Sequence, residues 1–137
     1  MLFGTFDVLH PGHEYVFKQA RRYGDYLIVI IARDVTVLNI KKHCPQNSER
    51  KRASNLRKTG CAEKVILGNV GDKMKVVKTE NPDVIALGYD QNNFIKELTT
   101  TFPKIKIKRL KSYYPKKYKS SLMTVYAKNK TTNCHYK

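Results

Sequence analysis

Ten residues near the start of the chain, Gly4-Thr5-Phe6-Asp7-Val8-Leu9-His10-Pro11-Gly12-His13, bring two imidazoles, a carboxylate and two glycines into one stretch. Their order fits the end of a buried strand, a tight turn and the first turn of a helix. Gly4 lets the backbone turn, and Gly12 leaves room for a ligand to approach the helix start, where backbone amides and the helix dipole favour an anion. His13 then stands on the first helical turn with His10 in the loop beside it, so both rings can donate to phosphate oxygens. A lone histidine reads more simply as a satisfied imidazole. The pair, flanked by Gly, Thr and Asp after a strand, points instead to phosphate chemistry. A metal site is the weaker reading of His-x-x-His, because Asp7 alone does not complete a ligand set.

The elements that must position these residues emerge from the alternation of apolar runs with helical patterns, which predicts parallel strands joined by crossover helices. Strands are expected at 1–3, 26–32, 64–67 and 84–87, with an edge strand at 105–108 whose alternation leaves one face wet. Helices are expected at 13–23, where Tyr15, Val16, Phe17 and Ala20 share a face, at 48–60 from a Ser48 cap to Gly60, and at 70–80 and 92–101. Residues 41–47 read as a loop. The expected fold is α/β, a Rossmann-like doubly wound parallel five-stranded sheet in a single domain over 1–125, followed by a tail at 126–137. Ligands of such sheets sit beyond the carboxyl ends of the strands. The loops after Phe6, Ala32 and Leu87 meet at that edge.

Composition bounds the function. A chain of 137 residues that is 41% apolar is one ordinary domain. Its longest apolar run, Leu27 to Ala32, is far below the roughly 20 residues of a membrane helix, and no leader pattern precedes it, so a cytoplasmic protein with no membrane partner is expected. The three cysteines, Cys44, Cys61 and Cys134, contain no Cys-x-x-Cys pair, which signals reduced thiols rather than a disulfide framework or structural zinc. With 27 Lys and Arg against 11 Asp and Glu, the formal charge of +16 attracts polyanions. The basic residues are spread along the chain, as on a generally cationic surface with no dedicated nucleic-acid partner.

Gly4-Thr5-Phe6-Asp7 followed by His10-Pro11-Gly12-His13 resembles the signature of the cytidylyltransferase-like nucleotidyltransferases. The runs Ile30 to Val37, Ile40-Lys41-Lys42, Ser48-Glu49-Arg50, Ile66-Leu67-Gly68 and Pro82 to Gln91 are similar to archaeal-type FAD synthases. The resemblance spans about residues 3 to 121 and implies adenylyl transfer from ATP to FMN, giving FAD and pyrophosphate, with a divalent metal ion such as Mg2+ accompanying ATP. No residue is assigned as a metal ligand, and a homodimer is left open.

By position, the resemblance gives His10, His13 and Lys41 catalytic roles at the triphosphate. Thr5, Phe6, Asp7, Pro11 and Gly12 would line the nucleotide pocket, Asp7 either orienting the loop and a histidine or assisting the metal. Lys42 would share a closing loop with Lys41. Arg50 and Arg57 would reach the site from their helix, with Lys51, Arg52 and Lys58 as exposed charge. Asp90 would fix the nucleotide, and Tyr118, Ser120 and Ser121 would meet the triphosphate from a late helix start.

The reaction type is specified more tightly than the acceptor. Cytidylyl transfer to glycerol 3-phosphate and nucleotidyl transfer to a sugar phosphate are the alternatives within the class, since one phosphate machinery serves many phosphomonoesters. The alternative outside it is a basic nucleic-acid-binding module on the same fold, which gives no reason for His10 and His13 to converge.

Overall fold

The structure, a computed structural model, describes residues 1–88 and 91–111. The expected tail and the domain boundary at 125 lie outside the described residues. Five strands, β1 (Leu2–Gly4), β2 (Ile28–Ile31), β3 (Lys64–Leu67), β4 (Val84–Leu87) and β5 (Lys106–Arg109), alternate with helices α1 (Pro11–Arg21), α2 (Asp34–Lys41), α3 (Glu49–Thr59), α4 (Lys73–Glu80) and α5 (Asn92–Thr101).

The strands form one parallel sheet in the order β3-β2-β1-β4-β5. Leu2 pairs with Val29 on one side and Ala86 on the other, so the shortest strand lies at the centre. The chain winds outward through β2 to β3, and α4 then carries it back to β4 across β1. The direction of winding therefore reverses between β1 and β4, where a ligand crevice opens beyond the strand ends.

Both faces are covered at the inner strands β2 and β4, which is why these read as continuous apolar runs. Val29 and Ile31 join Phe17 and Ala20 of α1 and Ala53 and Leu56 of α3 in one cluster. Ile30, between them, points the other way into a cluster with Val76 and Val77 of α4 and Leu98 of α5. This period of two places α1, with its histidines, firmly against one face.

Local signals set several boundaries. Ser48 caps α3 by accepting from the Lys51 N–H at 3.2 Å, and Gly60 closes that helix with φ of 67°. α1 begins at Pro11, earlier than expected, because proline suits a first turn that has no intrahelical use for its N–H. α4 starts at Lys73, capped by Asp72, and leaves Val70 60% exposed. β5 keeps Lys106, Lys108 and Arg109 exposed, charges that discourage pairing at a sheet edge.

One helix was not foreseen. α2 carries Val35, Thr36 and Val37 in its first half, poor helix formers, and no side chain caps it from Arg33. It is held by tertiary bonds at Asp34, described below. Lys41 consequently ends a helix, and Lys42, its left-handed cap with φ of 60°, opens the loop expected at 41–47.

Among the described residues Cys61 is a free thiol. Among the described residues no helix is long and apolar enough to cross a membrane.

Candidate active site

The turn after β1 is built around Phe6. Its backbone adopts φ of 49°, unusual for a residue with a side chain, and its ring folds back over Gly4. A Cβ at Gly4 would lie 2.6 Å from two ring carbons, so glycine is required there. The ring packs 5.1 Å from Phe17 and meets the edge of His13 at 5.2 Å. Phe6 is thus a core residue that braces a histidine.

His10 caps α1 with its own ring. Its Nδ1 accepts the Gly12 N–H at 3.1 Å, and its carbonyl accepts from His13 N at 2.9 Å. With Nδ1 used as an acceptor, the ring proton of neutral His10 sits on Nε2, leaving that atom a donor. The His10 and His13 rings stack, with centroids 3.8 Å apart and planes 20° apart. Burial pushes the His13 imidazole down from 6.5 to about 3, assisted by the nearby His10 and by the Lys41 ammonium. Burial lowers His10 as well. Two stacked imidazoliums would repel, so at neutral pH the site presents neutral donors beside a lysine cation at a positive helix end. A cleft of about 280 Å³ adjoins them, lined in part by Leu9, Phe17, Lys18 and Thr59.

Arg52 holds the neighbouring loops together. It is wholly buried, contrary to its expected exposure. Its Nη1 donates to Thr5 O at 2.7 Å, Nη2 to Ala32 O at 2.8 Å and to Asp34 Oδ1 at 2.7 Å, and Nε to Asn47 O at 3.1 Å. Asp34 and Glu49 cap each other's helices: the Asp34 N–H donates to Glu49 Oε2 at 2.8 Å, and the Glu49 N–H to Asp34 Oδ2 at 3.0 Å. One guanidinium therefore ties the ends of β1 and β2 to the starts of α2 and α3. The sequence signal was its spacing of four from Leu56, which puts both on the buried stripe of α3.

Asp7 is buried, and both carboxylate oxygens face backbone: Oδ2 accepts from Gln46 N at 2.6 Å and Oδ1 from Asn47 N at 2.8 Å. The Asn47 side chain returns a bond to Asp7 O at 2.9 Å. Of the two roles considered for Asp7, loop orientation is the one this geometry displays.

The structure brings His10, Pro11, Gly12, His13, Phe6 and Thr5 together at the carboxyl edge, with the Lys41 charge acting on His13. Lys41, Lys42 and Arg50 are exposed there on the end of α2 and the first turn of α3. Arg57 is not brought to them. It lies in the last turn of α3 and donates to Val65 O at 2.8 Å, on edge strand β3. Asp90, Tyr118, Ser120 and Ser121 lie outside the described residues. Gln91 adds a contact that sequence reasoning gave no role: its Oε1 accepts from Gly88 N at 2.8 Å and its Nε2 donates to Phe3 O at 3.2 Å. That amide bridges β1 and the end of β4 where the two diverge. Among the described residues, no group of three or more His, Cys, Asp or Glu side chains could hold a metal ion.

A doubly wound sheet carrying this histidine pair at the first crossover helix defines a nucleotidyltransferase. The chain belongs to the cytidylyltransferase-like family, whose model it matches over residues 1–131. It is 39% identical over 117 residues to an FAD synthase of Aciduliprofundum boonei, an alignment covering 82% of this chain and 78% of that protein. It is 48% identical over 88 residues to an FAD synthase of Methanosarcina barkeri, covering 64% and 62% respectively. Among solved structures it resembles a lipopolysaccharide core biosynthesis protein from Thermoplasma volcanium, with a TM-score of 0.77 and 38% identity, covering 82% of this chain and 95% of that one.

Proposed function

We propose that this protein is an FAD synthase, transferring the adenylyl group of ATP to the phosphate of FMN. An FMN phosphate oxygen attacks the α-phosphorus in line, the bond from the α-phosphorus to the α,β-bridging oxygen breaks, and pyrophosphate departs with the electron pair. No covalent bond to the protein forms, so its contribution is positioning and charge stabilisation. The observation that carries this reading is the neutral His10–His13 stack at the N-terminus of α1, in a chain 39% identical to a named FAD synthase.

His10 Nε2–H and the His13 ring donate to the nucleotide phosphates, and the Lys41 cation offsets the charge growing toward pyrophosphate. Pro11 and Gly12 leave the helix start open, and Thr5 lends its backbone to the pocket edge. Lys42 and Arg50 add cations, the Arg fork suiting phosphate recognition. Asp90, Tyr118, Ser120 and Ser121 complete the nucleotide contacts in this reading. In this reading the divalent cation enters as part of the substrate, the metal complex of ATP. The reaction belongs in the cytoplasm in this reading, where ATP is made. A homodimer is part of the same reading and is checked by sedimentation.

The test is a substrate matrix of ATP or CTP with FMN, glycerol 3-phosphate or a sugar 1-phosphate, read as pyrophosphate release with Mg2+, Mn2+ or Co2+. Turnover with ATP and FMN alone supports the assignment. Turnover with CTP and glycerol 3-phosphate instead would move it to that acceptor with the same mechanism.

A further inference from the structure

The end of α2 bears on the histidine pair from a distant part of the chain, the Lys41 charge acting on His13. Lys41 and Lys42 arrive from the end of α2, and the connection to α3 continues through 43–48. α2 is anchored at its start, where Asp34 meets Arg52 and Glu49. Its far end carries the cations, and the connection beyond that end is tied down by Asp7. That carboxylate lies three residues before His10 and accepts two backbone N–H groups nearly forty residues away in sequence. Asn47 completes the contact by donating its side chain to Asp7 O while its carbonyl accepts from Arg52 Nε.

We infer that Asp7 is a positioning residue for nucleotide binding: by holding the backbone of Gln46 and Asn47 it fixes the end of α2, with Lys41, on the side of the His10–His13 stack. A carboxylate is suited to this and an amide is not. Two N–H donors need two acceptor oxygens, and an Asn would turn its NH2 toward one of them. Charge-assisted bonds to backbone N–H groups are also short and stiff, which suits a part that must hold two lysines in register. The inference rests on ATP being the nucleotide of the proposed reaction.

Each Asp7 oxygen accepts a backbone N–H, from 46 or from 47, and a double-mutant cycle separates an effect passed through the connection from a direct one. ATP affinity is measured by calorimetry, without FMN, for wild type, Asp7→Asn, Lys41→Ala and the double variant, with Mg2+ and with chelator. Asp7→Asn is expected to weaken ATP binding on the order of tenfold in the wild-type background, as misplacement of a binding group does. In the Lys41→Ala background the loss should fall to about twofold or less, with the same pattern under chelation. Asn47→Ala, which leaves the carboxylate intact, should weaken ATP binding in the same direction and serves if Asp7→Asn does not fold. Equal losses in both backgrounds would overturn the inference, as would a loss that disappears when the divalent cation is removed, since Asp7 would then act on the metal. Wild-type protein that binds no ATP would instead overturn the proposed function.

Discussion

Arg52 and Asp34 form an ion pair of 2.7 Å between two side chains only 0% and 2% exposed, at the point where the loops of the candidate site meet. Each also satisfies further groups: Arg52 bonds three backbone carbonyls, and Asp34 exchanges bonds with Glu49. The pair is a joint between the histidine turn and the lysine-bearing helix, and removing one member strands the other in a dry interior.

Arg52→Met should therefore destabilise the fold by about 3–5 kcal/mol, the usual cost of leaving one charge of a buried pair uncompensated. Arg52→Lys should not rescue it, because an ammonium cannot reproduce the fork that spans Thr5, Ala32, Asp34 and Asn47. Equilibrium denaturation in urea measures both; a loss under about 1 kcal/mol would show the joint to be dispensable.

The two histidines should separate under substitution. His10→Asn keeps a side-chain acceptor at the cap of α1 but removes the Nε2 donor, so melting should be little changed while kcat falls about a hundred- to a thousandfold. His13→Ala should cost a similar factor in kcat. A His10→Asn enzyme with near wild-type kcat would remove that ring from the chemistry.

Gly4→Ala tests the turn. The added Cβ would meet the Phe6 ring at 2.6 Å, with no room on the far side where Phe17 packs. Overpacking of this kind costs about 1–3 kcal/mol, and displacement of Phe6 should also disturb His13. A lowered melting temperature with reduced turnover is expected; unchanged values for both would contradict the close approach.

Stability should fall in acid through His13. Its imidazole titrates near 6.5 when unfolded but only at about 3 in the fold, so between those values the unfolded chain binds the extra proton. The contribution is complete above about pH 6.5 and is lost as pH drops toward 3, at up to about 1.4 kcal/mol per unit. His10, also lowered by burial, acts in the same direction. The slope of unfolding free energy against pH from about 4 to 6 should be shallower in His13→Asn than in wild type. Parallel slopes would show that His13 is not held neutral.

How much the sequence made legible depends on how locally each feature is determined. β4 was readable to the residue because a strand buried on both faces needs an unbroken apolar run, and β3 because Val65, Ile66 and Leu67 stand between turn signals. The histidine motif was readable because one turn and one helix start contain all of it. α2 was not, since its residues are weak helix formers and its support comes from Arg52 and Glu49, far along the chain. Arg50, Arg52 and Arg57 look alike by type, yet helical phase buries one, exposes another at the site edge and sends the third to β3. Asp7 stood out in the motif, but its partners at 46 and 47 carry no signature, because backbone amides are common to every residue.

The most direct test traces the transferred atom. Purified protein is given ATP labelled at the α-phosphorus together with FMN, and the flavin products are separated and identified by mass. The expected result is label in FAD at one atom per molecule, pyrophosphate in equal amount, and loss of both in His13→Ala. Label that never enters a flavin, while CTP labelled at its α-phosphorus yields a labelled product with glycerol 3-phosphate, would contradict adenylyl transfer to FMN.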